Sequence, residues 1–331
     1  MNIVIQTAGS NLKIENNNFV LSLFDQKYTI PPDQVKSITI GKGASISSDA
    51  IFKAIEYEID IIFTDNLGNP LGRIWSPKFG SISDIRIHQI EFVFSNTATE
   101  FIKDIIIQKF DNFIAILLYL LSIKPNTQDK IQRTITAIND YKNKIKNIPN
   151  DIIVEVAPKI RGWEGIASKK YFETIAYILP PEYNFKQRGS PPAKDPINAI
   201  LNYLYGILYS KIEGALIKAG IDPYIGILHR NEYNRPSLVF DIIELFRHWA
   251  DYVAFSLALK NSIDNDTFFT IHDDNTYWLD NLGKKIIIQA FNDYLSEIIT
   301  INNINRSREE YIQYFAHQLA QKFLKFKNKK N

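Results

Sequence analysis

Along the first eighty residues apolar and polar positions alternate with a period near two in short runs: "NIVIQ", "NLKIE", "FVLSLF", "VKSITIG", "DIIFTD" and "LGRIW". Turn-forming stretches such as "AGS", "ENNN", "PPD" and "DNLGNP" separate them, so the pattern predicts short strands joined by turns. One helix interrupts the series, because Ser47 or Ser48 can cap "DAIFKAIEYE", where Ile51, Ala54 and Ile55 share a face. After about residue 92 the period becomes helical and stays so. "EFIKDIIIQKFDNFIAILLYLLSI" reads as a long buried helix, and "DKIQRTITAINDYKNKIKNI" places Ile131, Ile135, Ile138 and Ile145 on one stripe with lysines elsewhere. The expected fold is α+β. A mostly-β domain with one inserted helix covers 1–85, a linker covers 86–95, and a larger all-α domain covers 96–331.

Two later helices carry clear punctuation. Asp195 is a good N-cap, Pro196 sits in the first turn where its missing N–H is harmless, and Gly220 ends the helix after Lys218. Asn198, Asn202, Tyr205 and Tyr209 form a polar and aromatic stripe on it, suited to phosphate oxygens or to another helix; polar helix faces usually serve the second purpose. Ser237, after Pro236, predicts the start of a helix running from Leu238 toward Lys260.

Composition narrows the function classes. The chain is 45% hydrophobic, with 21 Phe and 17 Tyr, enough for large packed cores. It has no cysteine, which removes disulfides, thiolate nucleophiles and zinc ribbons and fits a reducing cytoplasm. "FIAILLYLLSI" is about half the ~20 residues of a membrane span, and no basic leader with an apolar core opens the chain. Net charge is only +2, but residues 1–91 hold 8 Lys/Arg against 10 Asp/Glu, so a polyanion would sooner meet the remainder. The tail "KFLKFKNKKN" adds five lysines and reads first as a frayed terminus.

The chemistry-bearing candidates lie in "GILHRNEYNRPSLVFDIIELFRHW" and "RGWEGIASKKYF". Asp241, Glu244, His248 and Asp251 follow at i, i+3, i+7 and i+10, one face of the expected helix. Asp241 and Glu244 read either as solvated helical acids, the commoner case, or as two carboxylates sharing a hard cation with the loop imidazole of His229. Glu164, flanked by Gly162 and Gly165 and by Arg161, Lys169 and Lys170, is the best third acid; an ordinary ion pair is the other reading. Mixed oxygen and nitrogen ligands without thiols suit Mg²⁺ or Mn²⁺ better than Zn²⁺. "IHDDN" at 271–275 reads as a turn before it reads as a weak cation site. Phosphate-loop, dinucleotide, nucleophile-elbow and H-E-x-x-H patterns are all missing.

Four blocks in order, "RGWEGIASKKYF", "RGSPPAKDPINAILNYLYGILY", "AGIDPYIGILH" and "SLVFDIIELFR", resemble the CRISPR-associated spacer integrase family, the first-numbered Cas proteins. The likeness extends over almost the whole chain, the N-terminal "SSDAIFKAI" and "DNLGNPLGRI" included. It implies a β domain followed by a helical catalytic domain, a homodimer, and association with the small second-numbered Cas protein. Matched by motif, it implies Glu164, His229 and Glu244 as catalytic metal ligands with Asp241 in support. Its implied chemistry is metal-dependent DNA integration and endonuclease activity in CRISPR adaptation, an antiviral defence. Arg161, Lys169, Lys170, Arg188 and Arg247 are then the expected DNA contacts. A partner-independent, structure-selective repair nuclease would use the same ligands. Two departures stand out: the final acid is Glu244 where some members carry Asp, and His248 stands where a proline often follows the arginine.

Overall fold

The computed structural model describes residues 1–24, 26–35, 37–57, 59–64, 70–74, 82–229, 235–301 and 303–326. The six alternating runs become strands, and β4 and β6 add two that the pattern did not predict: β1 (Asn2–Ile5), β2 (Asn11–Glu15), β3 (Asn18–Leu23), β4 (Gln26–Ile30), β5 (Ser37–Gly41), β6 (Ser45–Ile46), β7 (Asp60–Thr64) and β8 (Pro70–Ile74). They form two four-stranded sheets, ordered β1-β5-β7-β8 and β4-β3-β2-β6. In the first sheet β1, β5 and β7 run parallel, and β8 returns antiparallel to β7. The expected turn between β7 and β8 falls on residues 65–69, outside the described ones. Helix α1 (Ser48–Glu56) is capped by Ser47, whose side chain accepts from the Ala50 amide at 3.2 Å. Its Ala50 and Ala54 are buried with Ile3, Ile5, Leu12, Phe19, Ile38 and Ile61 from both sheets. Small residues on that face let the helix lie close to the strands.

The chain divides into two compact units, Met1–Ser83 and Asp84–Asn331. Most of the stretch expected as a linker, 86–95, is instead helical: α2 spans Ile82–Val93 and buries Ile85, Phe92 and Val93. The second unit continues with α3 (Asn96–Ile123), α4 (Gln128–Lys146), α5 (Ile153–Ile178), α6 (Pro196–Lys218), α7 (Ser237–Ile243), α8 (Arg247–Leu259), α9 (Asn265–Phe268), α10 (Asn281–Ser296) and α11 (Arg308–Lys325). It is mostly rather than wholly helical, since Phe269–Ile271 pairs with Tyr277–Leu279 and Ile298–Ile301 with Ile304–Ser307 as two short hairpins. Helix α3 is long and apolar enough to cross a membrane, yet Phe110, Phe113, Leu117 and Leu120 are buried among α4, α5 and α8. Of the tail lysines, Lys322 and Lys325 lie on α11, and Lys327, Lys329 and Lys330 are outside the described residues.

The predicted caps of α6 hold. Asp195 accepts from the Asn198 amide at 2.7 Å, Pro196 opens the helix, and Gly220 follows it with φ +81°. The helix expected from Leu238 to Lys260 is broken. Helix α7 ends at Ile243 and α8 starts at Arg247. At the break, Leu245 and Phe246 donate three residues back, to Ile242 and Ile243, and the Leu245 carbonyl accepts from Asn112 Nδ2 at 3.1 Å. Ser237 is the first helical residue rather than the cap, which Pro236 occupies.

Candidate active site

The break places Glu244 between two helices. Its carboxylate is nearly buried and meets two cations: Lys109 Nζ at 2.6 Å from Oε2 and Arg247 Nε at 3.1 Å from Oε1. Lys109 comes from α3 and is also ion-paired with Glu164 Oε1 on α5. Ser168 Oγ, one turn further along α5, donates to the same Glu164 oxygen at 2.8 Å. Two acids separated by eighty residues are thus brought to one ammonium group.

His229 arrives from the loop after α6, and Asp241 on α7 organises that loop. The buried Asp241 carboxylate accepts from the backbone amides of Ile227 at 2.6 Å, Leu228 at 3.1 Å and His229 at 3.0 Å. His229 Nδ1 lies 2.6 Å from Asp241 Oδ1, so Nδ1–H donates and Nε2 is the ring nitrogen left free of that contact. Arg161, one turn before Glu164, donates from Nη1 to the Leu228 carbonyl at 3.0 Å and fastens the loop to α5. Gly226 makes the close approach possible: a Cβ there would lie 2.6 Å from Ser237 Cβ and 2.8 Å from the His229 carbonyl oxygen. No side chain fits between loop and α7 at that point.

Burial by itself would raise the Glu244 carboxyl. Arg247, Lys109 and, more weakly, His229 outweigh it and hold the group below the ordinary range. Lys109 is held above its ordinary value although burial opposes this, because Glu164 and Glu244 favour the charged ammonium. Glu244, Lys109 and Arg247 thus favour one another's charged forms.

The other predicted residues divide by position. Arg188 is committed internally, donating to Asn198 Oδ1 at 2.8 Å and Asn202 Oδ1 at 2.6 Å and stacking over Tyr205. Arg247 stacks over the same ring besides pairing with Glu244. The Asn and Tyr stripe of α6 therefore meets protein groups at Asn198, Asn202 and Tyr205. Lys169 is exposed and reaches Glu173 at 4.0 Å, while Lys170 is half-buried. Asp251 is buried and accepts from Tyr205 Oη at 2.5 Å and Tyr171 Oη at 3.0 Å; His248 is half-buried, with its Nδ1 enclosed. In "IHDDN", Asp274 accepts from Thr276 and Asn275 has φ +58°, as a turn requires.

Sequence reasoning passed over Lys109 and Asn112. The available signal was slight: Lys109 is the one Lys or Arg between Lys103 and Lys124 in a strongly apolar helix.

Among the described residues no three His, Asp or Glu side chains stand spaced to hold a metal ion. The donor chemistry nevertheless fits a hard divalent cation. Glu244 Oε2 is a buried oxygen without an aligned hydrogen bond, both carboxylates already point at one positive charge, and the imidazole lies within electrostatic reach of Glu244. The ammonium of Lys109 stands between the two carboxylates.

A β-rich unit followed by a mostly helical one, with a loop histidine and acids from two helical segments gathered in the second, defines a two-part protein with a carboxylate–imidazole site. The chain belongs to the CRISPR associated protein Cas1 family, whose family model matches residues 3–293. It is 33% identical over 258 residues to the CRISPR-associated endonuclease Cas1 1 of Archaeoglobus fulgidus, covering 75% of this chain and 74% of that one. Its fold matches a partial Cas6-RT-Cas1–Cas2 complex with a TM-score of 0.74 at 21% identity, covering 98% of this chain and 95% of the other. A casposase bound to integration product matches with a TM-score of 0.70 at 21% identity, covering 99% of each.

Proposed function

We propose that the protein is a metal-dependent DNA integrase and endonuclease that inserts short DNA duplexes into a CRISPR repeat array. The observation that carries this reading is the meeting of Glu164 and Glu244 at a single cation, beside a histidine oriented by Asp241, in a chain of the Cas1 family. Glu164, Glu244 and His229 would hold one Mg²⁺ or Mn²⁺, which when bound supplies Lewis-acid stabilisation of charge on the reacting phosphate. Asp241 keeps the imidazole in one tautomer, with the proton on Nδ1 and the lone pair on Nε2. Arg247, next to Glu244, adds a fixed positive charge near the phosphate.

In the reaction a DNA 3′-hydroxyl attacks a phosphodiester of the repeat. A new P–O bond forms as the old P–O3′ bond breaks, one proton leaves the attacking hydroxyl, and one returns to the departing oxygen. The number of phosphodiesters is unchanged, so no energy-rich cofactor is needed. Water in place of the hydroxyl gives hydrolysis with the same residues, which makes endonuclease and integrase two outcomes of one site.

Lys169, exposed on the helix that carries Glu164, is the best-placed phosphate contact among the predicted cations, with the half-buried Lys170 beside it. Arg161 and Arg188 contribute chiefly by positioning. The partners that go with this reading are spacer and repeat DNA, a second copy of the chain, and the small second-numbered Cas protein, in the cytoplasm. A complex containing Cas1 and Cas2 and a casposase on its integration product, both of this fold, support it.

The test is strand transfer of a labelled duplex into a repeat-containing plasmid, with Mg²⁺ or Mn²⁺ and the small partner protein. Glu164→Ala or His229→Ala should lower joining on the order of 10²-fold or more. Failure of the wild-type protein to join DNA under these conditions overturns the proposal. Cleavage of branched DNA without joining or partner would favour the repair-nuclease reading.

A further inference from the structure

Lys109 is the least expected member of the cluster. Its side chain is 8% exposed and comes from α3, while the acids it pairs with come from α5 and the α7–α8 break. Two carboxylates drawn to one point repel each other, and a shared buried cation removes that repulsion. With Arg247 against the other Glu244 oxygen, the group holds two negative and two positive charges and is neutral. A divalent ion added to the same oxygens would leave the cluster with an excess of two positive charges. In a partly buried site such an imbalance is unfavourable unless one cation withdraws.

We infer that Lys109 is a tethered stand-in for the divalent ion: it holds Glu164 and Glu244 together before the ion binds and must release them for the ion to load. The inference rests on the metal-site reading above. The lysine occupies the carboxylate oxygens that reading assigns to the metal, so lysine and metal compete. Its flexible four-carbon stem lets the ammonium withdraw without moving α3. Lys109 therefore sets how weakly the site takes up metal, whereas Asp241 and Arg161 set where the histidine stands.

The experiment is a Mn²⁺ titration of the full chain at one pH, reading free ion by electron paramagnetic resonance, with thermal melting alongside. The variants are Lys109→Met, Lys109→Arg and Glu164→Gln. Lys109→Met is expected to bind Mn²⁺ at least about tenfold more tightly than wild type, because its competitor is gone and the Glu164 and Glu244 oxygens that it paired with are open to the ion. Without ion it should melt lower than wild type, and on adding Mn²⁺ it should gain more. Lys109→Arg should stay within a few-fold of wild type, and Glu164→Gln should bind more weakly. If folded Lys109→Met binds Mn²⁺ no more tightly than a wild type that does bind it, the inference is overturned and the metal reading stands. Absence of Mn²⁺ binding by wild type and Lys109→Met alike overturns the metal reading and the inference with it. Should Lys109→Met fail to fold without ion, Lys109→Gln is judged by the same criterion.

Discussion

At the scale of single residues, Asp241 shows how a carboxylate places a neighbour's side chain. It gathers three consecutive amides and one imidazole nitrogen, so the loop carrying His229 is folded around it. Asp241→Asn keeps the size but replaces one acceptor oxygen by an amide nitrogen that cannot accept. At least one buried donor then loses its partner, which should cost on the order of 2 kcal/mol in urea unfolding. Strand transfer should fall further than that loss explains, because the proton on His229 Nδ1 is no longer fixed by a negative charge. Activity measured well below the unfolding transition separates the two effects; retention of wild-type rates there would mean that Asp241 only stabilises the loop.

At the scale of elements, α5 carries Glu164 between two glycines, and a Cβ at Gly162 or Gly165 would meet nothing within 4 Å. No internal contact therefore requires these glycines, and each gives up helix stability relative to alanine. Gly165→Ala should raise stability by about 0.5–1 kcal/mol, measured by thermal melting. If DNA approaches α5 closely here, the same variant should join DNA more slowly even as it melts higher. The glycines, Glu164, His229 and the acids of "DIIE" were legible because each sits in an ordered motif block. Strands β1, β2, β3, β5, β7 and β8 were legible because their alternation is clean. Strand β4 was not, since four of its five residues are exposed and leave no alternating signal. The α7–α8 break was hidden for another reason: its Leu245 carbonyl is claimed by Asn112, which is remote in sequence, and local pattern cannot register a partner from another helix. Lys109 was missed likewise, because its role exists only once α3, α5 and the break are packed together.

At the scale of the whole molecule, the buried groups beside the site give stability a testable dependence on pH. Burial pushes the Asp251 carboxyl up to about 6, although Tyr205 and Tyr171 donate to it and Arg247 and Arg188 lie nearby. Burial pushes the His248 imidazole down to about 4. The signs are opposite. Between about pH 4 and pH 6 the folded chain holds a proton on Asp251 that the unfolded chain has released, so this group adds stability as pH falls. Over about pH 6.5 to 4 the unfolded chain protonates His248 before the folded chain does, and stability is lost as pH falls. In wild type the two contributions oppose each other across that window, alongside those of other titrating groups. Asp251→Asn removes one of them. Lowering pH from about 7 to about 4 should therefore improve wild type relative to Asp251→Asn by on the order of 2 kcal/mol, as chemical denaturation at each pH would measure. The variant keeps one acceptor for the two tyrosines, so its absolute stability is the less informative quantity and the pH trend of the difference is decisive. A difference that stays flat would mean that Asp251 titrates as an exposed acid does, and that the tyrosines and arginines around it already cancel the penalty of its burial.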